Sequence, residues 1–259
     1  MKKLLLMFWV LLGTALYAVE ITDAQHAVDV AGKQRMLTQR MMADYVMIGL
    51  HSNFKNPQQN LTNTVEEFEE NLHAIAQYSR SKSIVQVLEK VKTQWKPVKK
   101  ILTSKVDKKF CEELSDKLDQ VLASSNQVVI AIRKDTSTGH GEIIDISGRQ
   151  RMLSQRIAGM YLMDLWFQND ASKKKLEDAM HLYESSLIKL KAFEKNTKEI
   201  SKYLAKAEKS YLYIKNMRST GLSMNRMPSL VYKKADDVFT SMNKVTHLYA
   251  GMMLEVALR

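Results

Sequence analysis

The sequence predicts an all-α protein: two tandem four-helix up-down bundles, arranged as a pseudo-dimer after a signal peptide. Glycine and proline, which form most turns, number only 9 and 3 among 259 residues, so the chain has few of the turns that a sheet needs. The 16 methionines suit helical cores, because the flexible Met side chain fills irregular gaps. One motif recurs 116 residues further along the chain, which predicts two similar units.

Residues 1–18 have the pattern of a secretory signal peptide. Lys2 and Lys3 supply the positive start, residues 4–12 form the apolar stretch, and Ala18 is a suitable last residue before cleavage. The apolar stretch is shorter than the roughly 20 residues that a membrane span needs. We therefore expect a cleavable signal, a periplasmic mature chain and no membrane span within it. An uncleaved N-terminal anchor is the alternative.

The repeated motif is AGKQRMLTQRM at residues 31–41 and SGRQRMLSQRI at residues 147–157, with seven of eleven positions identical. Further residues match at nearly the same spacing: Phe68 with Tyr183, Glu69 with Glu184, Leu72 with Leu187, Trp95 with Tyr211, Val121 with Val238, and Asn126 with Asn243. Polar turn formers and two of the nine glycines cluster at residues 135–141. We therefore place the first domain at residues 19–134, a linker at 135–141 and the second domain at 142–259.

Each unit has the pattern of four amphipathic helices joined by short connections, as in an up-down bundle. In the first unit the expected helices run from Thr22 to about Leu50, from Pro57, from about Ser83 to Leu102, and from about Phe110 to Arg133. In the second unit they cover about residues 142–168, 171–195, 198–219 and 229–258, with Met227-Pro228 separating the last two. Thr22 with Gln25 forms a capping box, and Asn56 caps the helix that Pro57 begins. Pro97 should kink or break the third helix.

The motif places one stripe of residues on each first helix. Because a helix turns about 100° per residue, three residues of each copy share a face: Gly32, Arg35 and Gln39, and Gly148, Arg151 and Gln155. A glycine inside a helix costs about 1 kcal/mol relative to alanine, so we expect another backbone to approach it closely. Packing of the two first helices at their glycines would bring Arg35 and Arg151 together. A small planar oxyanion between the guanidinium groups would replace their repulsion by charge-assisted hydrogen bonds.

A structural role for these arginines is the alternative. Arg35 could pair with Glu69, and Arg151 with Glu184, each inside its own bundle. Comparison of the repeats favours the ligand site, because the aligned segments of the third helices share only three of fourteen residues, far fewer than the arginine motif.

Residues outside the stripe are expected to be structural. Arg40 and Arg156 lie about 140° from Arg35 and Arg151, which we call the motif arginines, on another helix face. There we expect pairing or capping within their own bundles. Cys111 is the single cysteine, so it cannot form an internal disulfide, and we expect an inert, partly buried thiol.

At GKQRMLTQR and GRQRMLSQR the sequence resembles the PilJ-type sensor domain, the N-terminal domain of type IV pilus methyl-accepting chemotaxis transducers. That domain is related to the periplasmic domains of NarX-like nitrate and nitrite sensor kinases. The resemblance covers nearly the whole mature chain as a tandem pair. It implies four-helix bundles and, by likeness to members in which two protomers hold one nitrate between their first helices, an intramolecular version of that dimer.

The resemblance also implies which residues and partners matter. Carried over by position, the anion contacts are Arg35 and Arg151, with backbone near Gly32 and Gly148. No kinase or methyl-accepting region follows the last helix, so we expect a separate partner, such as a membrane receptor, sensor kinase or transporter. An intermolecular dimer that pairs Arg35 with Arg35 stays open.

Other function classes find little support in the sequence. The net charge of +11 could suit nucleic acid, but no zinc-finger or RNA-binding signature accompanies it, so we expect no nucleic-acid partner. The six histidines show no metal-ligand spacing, and no nucleophile motif, phosphate loop or cofactor fingerprint is present. We therefore expect no enzyme, no metal and no cofactor. A helical protein-interaction module without a small-molecule ligand is the second hypothesis.

Overall fold

A computed structural model describes residues 20–79, 81–135, 142–217 and 227–257. Within these ranges all regular structure is helical, which confirms the predicted fold class. The helices are α1 (Ala24–Gly49), α2 (Pro57–Tyr78), α3 (Lys82–Leu102), α4 (Cys111–Asp135), α5 (Glu142–Phe167), α6 (Asp170–Lys191), α7 (Lys198–Asn216) and α8 (Met227–Ala257), with a short 3₁₀ helix at Lys108–Phe110. The expected signal peptide and residues 136–141 of the expected linker lie outside the described residues, and the domain limits stay a prediction.

The helix starts confirm one predicted cap and correct another. Asn56 caps α2 as expected, because its side chain accepts a hydrogen bond from the backbone N–H of Gln59. Asp23, not Thr22, caps α1: its Oδ1 accepts from the backbone N–H of His26 at 2.8 Å. The Thr22 hydroxyl instead donates to the Asp23 carboxylate. A carboxylate is a stronger acceptor than a hydroxyl for the exposed N–H groups at a helix start.

Neither Pro97 nor Pro228 separates two helices: the predicted break at Pro97 was wrong, while the kink predicted there as the alternative stays a prediction. α3 continues through Pro97, since Trp95, Val98 and Leu102 are buried on both sides of the proline and hold the helix against the core. Met227-Pro228 does not separate two helices but forms the first turn of α8. A proline is tolerated there because the first backbone N–H groups of a helix have no intrahelical acceptor.

Each repeat forms one bundle, α1–α4 and α5–α8, with the same pattern of contacts. The first helix packs against the second and the fourth, and the third packs against the fourth. The second and third helices lie further apart and meet through aromatic rings. Phe68 and Trp95 have ring centroids 4.3 Å apart, and Tyr183 and Tyr211 have centroids 4.5 Å apart. The sequence pairs of the two repeats are therefore equivalent in space as well.

The two bundles meet along α1 and α5, which pack side by side. Both helices are buried over most of their circumference, because each serves its own bundle and the other repeat; nearly every residue of α5 from Ser147 to Leu165 is buried. The helix backbones approach closely at Gly159, where a Cβ atom would lie 3.4 Å from the backbone nitrogen of Ala43. This seam positions the repeated motifs opposite each other.

Candidate ligand site between the repeats

A cavity of about 440 Å³ opens between α1 and α5 beside the repeated motifs, with α4 and α8 forming its remaining walls. Its lining comes from both repeats: Thr22, Asp23, His26, Val28, Asp29, Gly32, Arg35, Val129, Arg133, Ile144, Asp145, Gly148, Arg151, Thr246, His247 and Ala250. The structure therefore brings Gly32, Arg35, Gly148 and Arg151 together at one site, as the sequence predicted.

Arg35 is held by both repeats and is only 4% exposed. Its Nη1 donates to Asn126 Oδ1 on α4 at 2.8 Å and to Asp145 Oδ1 on α5 at 3.3 Å. Burial lowers the pKa of Arg35 from its usual value, attraction to Asp145 acts in the opposite direction, and repulsion from Arg149 and Arg151 lowers it again. The guanidinium nonetheless stays charged, because arginine does not lose its proton in proteins.

Arg151 repeats this arrangement from the other side. Its Nη1 donates to Asn243 Oδ1 on α8 at 2.9 Å, and its Nη2 donates to Asp29 Oδ1 on α1 at 2.9 Å. Each motif arginine thus binds an asparagine of its own repeat and an aspartate of the other. Such reciprocal contacts are the mark of a twofold arrangement.

The partners of the arginines were missed by sequence reasoning, although signals were present. Asn126 and Asn243 match between the repeats, and Asp29 and Asp145 each stand three residues before a motif glycine. These residues lie far from the arginines in sequence or in the other repeat. Helical spacing alone therefore does not connect them.

The motif glycines serve a purpose different from the expected one. A Cβ atom at Gly32 would lie 3.6 Å from Arg35 Nη2 and 4.0 Å from Arg151 Nη2, and one at Gly148 would lie 3.5 Å from Arg151 Nη2 and 3.9 Å from Arg35 Nη2. Apart from these, no atom of the described ranges beyond the neighbouring residues and the helix backbone comes within 4 Å. The expectation of a close backbone approach here was wrong. The glycines instead leave space for the two guanidinium groups.

Arg35 keeps unused hydrogen-bonding capacity. Both of its hydrogen bonds come from Nη1, while its Nε is buried and has no partner among the described residues. Nη2 lies beside both motif glycines. Nε and Nη2 together form the side of a guanidinium that can donate two parallel hydrogen bonds to two oxygens of a planar anion.

Gln39 and Gln155 are buried further along α1 and α5, and they line no part of this cavity. Gln39 Oε1 accepts from Arg156 Nη1 at 3.2 Å, while Gln155 Nε2 has no partner in the described part of the chain. The structure separates both glutamines from the arginine pair, and a ligand role for them stays a prediction.

The alternative pairing of Arg35 with Glu69 and of Arg151 with Glu184 does not occur. Glu69 accepts from Trp95 Nε1 at 3.0 Å and from Lys99, both on α3. Glu184 accepts from Tyr211 and Lys215 on α7. The two glutamates therefore join the second helix to the third in each repeat, on the side away from the seam.

Arg40 and Arg156 also pair differently from the prediction, because they bind across the seam and not within their own bundles. Arg40 contacts Asp236 at 3.4 Å and Tyr232 at 3.2 Å, both on α8. Arg156 donates twice to the Asp119 carboxylate on α4, once at 3.1 Å. Side-by-side packing of α1 and α5 turns one face of each helix toward the fourth helix of the other repeat, which explains the difference.

A buried carboxyl group next to Arg40 was not predicted. Asp44 is fully buried, and Tyr232 donates its hydroxyl to Asp44 Oδ1 at 2.6 Å. Burial raises the pKa of Asp44 to about 7, although the Tyr232 hydrogen bond and the Arg40 charge lower it. The equivalent position of the second repeat is Met160, so this group exists on one side only.

The remaining predictions concern metals, thiols and membranes. Within the described ranges no group of three His, Cys, Asp or Glu side chains could hold a metal ion. Cys111 is fully buried, more completely than expected, and burial raises its pKa to about 12, which disfavours the reactive thiolate. Among the described helices, none is long and apolar enough to cross a membrane.

Comparison with known proteins gives one match. The family model PilJ, described as the type IV pili methyl-accepting chemotaxis transducer N-term, matches residues 20–127 and 135–209. The first segment begins just before α1 and the second just before α5, so the two segments follow the two repeats. No curated protein and no solved structure matches the chain.

Proposed function

Because this chain belongs to the PilJ family of chemotaxis-transducer sensor domains, we propose that it is a sensor-type protein that binds a small anion between α1 and α5. Nitrate or nitrite is the favoured ligand. The protein acts through a separate partner, namely a membrane receptor, a sensor kinase or a transporter, and it catalyses no reaction. It works in the periplasm, with residues 1–18 serving as a cleavable signal peptide.

One observation carries this proposal: the buried Nε of Arg35 has no hydrogen-bond partner among the residues that the structure describes, although it belongs to a charged group. Buried charged donors are stabilised by pairing, and leaving one unpaired costs more than leaving a neutral donor unpaired. An oxyanion on the Nε–Nη2 side of Arg35 would accept two charge-assisted hydrogen bonds. It would also neutralise the repulsion between Arg35 and Arg151, which lowers the pKa of Arg35.

The position of this anion suits a sensor. It would contact α1 through Arg35 and α5 through Arg151, so its affinity depends on how the two helices sit against each other. A ligand that prefers one arrangement shifts the population toward it. A partner that contacts both bundles can therefore detect binding at the seam.

The test is a thermal-shift comparison of the purified protein with nitrate, nitrite, chloride and sulfate at matched ionic strength. A ligand that binds only the folded state raises the melting temperature. We expect a rise with nitrate or nitrite that is lost in Arg35→Ala and in Arg151→Ala. Lys99→Ala is the matched control, since it removes a half-exposed cation that pairs with Glu69 far from the seam.

Binding retained in both arginine variants would contradict the proposal. So would a rise in melting temperature that is the same for all four anions, because it would reflect general screening of a basic protein. No shift with any small oxyanion would favour the protein-interaction module.

A further inference from the structure

The cavity is larger than a nitrate ion requires. Its volume of about 440 Å³ lies in the range of pockets that hold organic ligands, whereas a single water molecule takes about 30 Å³. Lining residues on α1 extend from Arg35 back to Asp23, about 18 Å along the helix at 1.5 Å per residue. An ion bound at the arginine pair would leave most of this space to solvent.

The charged side chains of the cavity wall include both cations and anions. Asp29 and Asp145 line the cavity one turn before the motif glycines, and each binds the arginine of the other repeat. The side chain of Asp145 is only 18% exposed and that of Asp29 is 40% exposed. A simple anion would lie beside these two carboxylates and be repelled by them. Asp145 also pairs with Arg149 at 2.8 Å, and Asp29 is partly exposed, so both carboxylates stay charged beside the cavity.

Another part of the wall is aliphatic. Val28 on α1, Ile144 on α5, Val129 on α4 and Ala250 on α8 contribute apolar surface from all four helices around the cavity, between further polar residues. A ligand that matches the charged and the aliphatic parts of the lining has an anionic group, a cationic group close to it, and an apolar part.

We propose that this cavity binds an aliphatic α-amino acid as a zwitterion. Its carboxylate takes the Nε–Nη2 side of Arg35, next to Arg151. Its ammonium group binds Asp29 and Asp145, and its side chain lies against Val28 and Ile144. The inference rests on the proposed function, because the carboxylate occupies the place assigned there to the oxyanion.

The reason for a zwitterion is that each of its two charges meets an opposite charge in the cavity. Its carboxylate takes the Nε–Nη2 side of Arg35 while Nη1 keeps its bond to Asp145, and its ammonium group lies beside the two carboxylates. An anion alone would meet the repulsion of Asp29 and Asp145 without that second attraction. Nitrate and the amino acid compete for the same arginines.

The first experiment compares L-leucine and L-valine with two leucine analogues that each lack one charge. These are 4-methylpentanoate, without the ammonium group, and 3-methylbutylamine, without the carboxylate. With the purified full chain, an amino acid at about 100 times its Kd should raise the melting temperature by roughly 5–10 °C. Each analogue should bind at least tenfold more weakly than leucine.

The variants Asp29→Asn and Asp145→Asn separate this inference from the proposed function. Both keep the shape of the site and remove the charge that an ammonium group needs. We expect each to weaken leucine binding at least tenfold while nitrate binding is kept or strengthened. Arg35→Ala should abolish the binding of both ligands. Asp29 is partly exposed, so Asp29→Asn carries the test if Asp145→Asn fails to fold.

The outcomes decide between the two proposals. Nitrate binding without binding of either amino acid, or 4-methylpentanoate bound as tightly as leucine, overturns the zwitterion and leaves the oxyanion site standing. Leucine binding that is unchanged in Asp29→Asn and Asp145→Asn also overturns the zwitterion and leaves the oxyanion site standing. Leucine binding that needs Arg35 and both aspartates supports the inference even where nitrate does not bind. No binding of any of these ligands overturns both proposals.

Discussion

The two repeats agree closely at the cavity and differ away from it. Arg35 and Arg151 bind equivalent asparagines and equivalent aspartates. About two and a half turns further along α1, Asp44 of the first repeat stands where the second repeat has Met160. In the second helices, Phe68 corresponds to Tyr183.

The reason for this difference is which residues supply the contacts of each side chain. At the cavity each repeat supplies the bonding partner of the other in the same way, so a change in one copy removes a hydrogen bond from both. Away from the cavity a residue has to fit only its own surroundings, as Asp44 fits Tyr232, and any replacement that packs is tolerated. The repeats therefore share what the cavity needs and differ elsewhere.

The largest effect is expected from Asp44, the buried carboxyl group without a counterpart. The pKa of Asp44 is about 7 in the folded protein against an ordinary 3.8, so the folded state keeps a proton that the unfolded state releases. The free energy of unfolding should therefore fall as the pH rises from about 4 to 7. The full penalty, on the order of 4 kcal/mol, applies above pH 7.

Asp44→Asn removes this ionisation and should raise the melting temperature at pH 8 much more than at pH 5. Thermal denaturation at both pH values measures the difference. Asp116→Asn is the control, because the Asp116 side chain is 68% exposed and should give the same small change at both. An Asp44→Asn protein with the pH profile of the parent would show that Asp44 is already ionised at low pH.

A smaller effect is expected from glycines that lie along the seam in only one repeat. A Cβ atom at Gly49 would collide with the ring of Trp166, so Gly49→Ala forces that ring to move and should cost about 1–3 kcal/mol. Gly159→Ala places its methyl group 3.4 Å from Ala43 and gains helix propensity, so its change should stay below about 1 kcal/mol. Urea denaturation compares them, and equal losses would contradict the assigned role of Trp166.

Tyr183→Phe gives the second repeat the residue type that the first repeat has at Phe68, and it should stabilise the protein by about 1 kcal/mol. The Tyr183 hydroxyl is buried and has no hydrogen-bond partner among the described residues, whereas Phe68 has no hydroxyl to satisfy. Tyr211→Phe is the opposite case, because the Tyr211 hydroxyl donates to Glu184 at 2.7 Å and its loss should destabilise. Denaturation midpoints of the two variants should therefore move in opposite directions.

The smallest change in stability is expected from Gly32→Ala, together with a clear loss of binding. The added methyl group has ordinary contact distances and improves helix propensity by up to about 1 kcal/mol. It lies 3.6 Å from Arg35 Nη2, where the proposed ligand approaches, so affinity should fall at least tenfold. Gly251→Ala, which has open space around it, should gain similar stability without any effect on binding. Unchanged affinity in Gly32→Ala would place the ligand elsewhere.

The sequence by itself determined the helical class, the twofold repetition and the stripe of glycine and arginine on each first helix. These follow from local rules: few turn formers, a recurring motif, and the fixed rotation of a helix per residue. The same rules predicted that Arg35 and Arg151 lie together, because each stands on the same face as a glycine in an equivalent helix. Even the position of Pro57 at the start of α2 is local information.

Only the tertiary structure decided which groups these arginines bind. Helical periodicity states which residues share a face but not which helix that face meets. The pairing of Arg35 with Asp145 and of Arg156 with Asp119 follows from α1 and α5 lying side by side, with α4 and α8 within reach. The purpose of Gly32 was decided in the same way, since the atoms that need its space belong to arginines of both repeats.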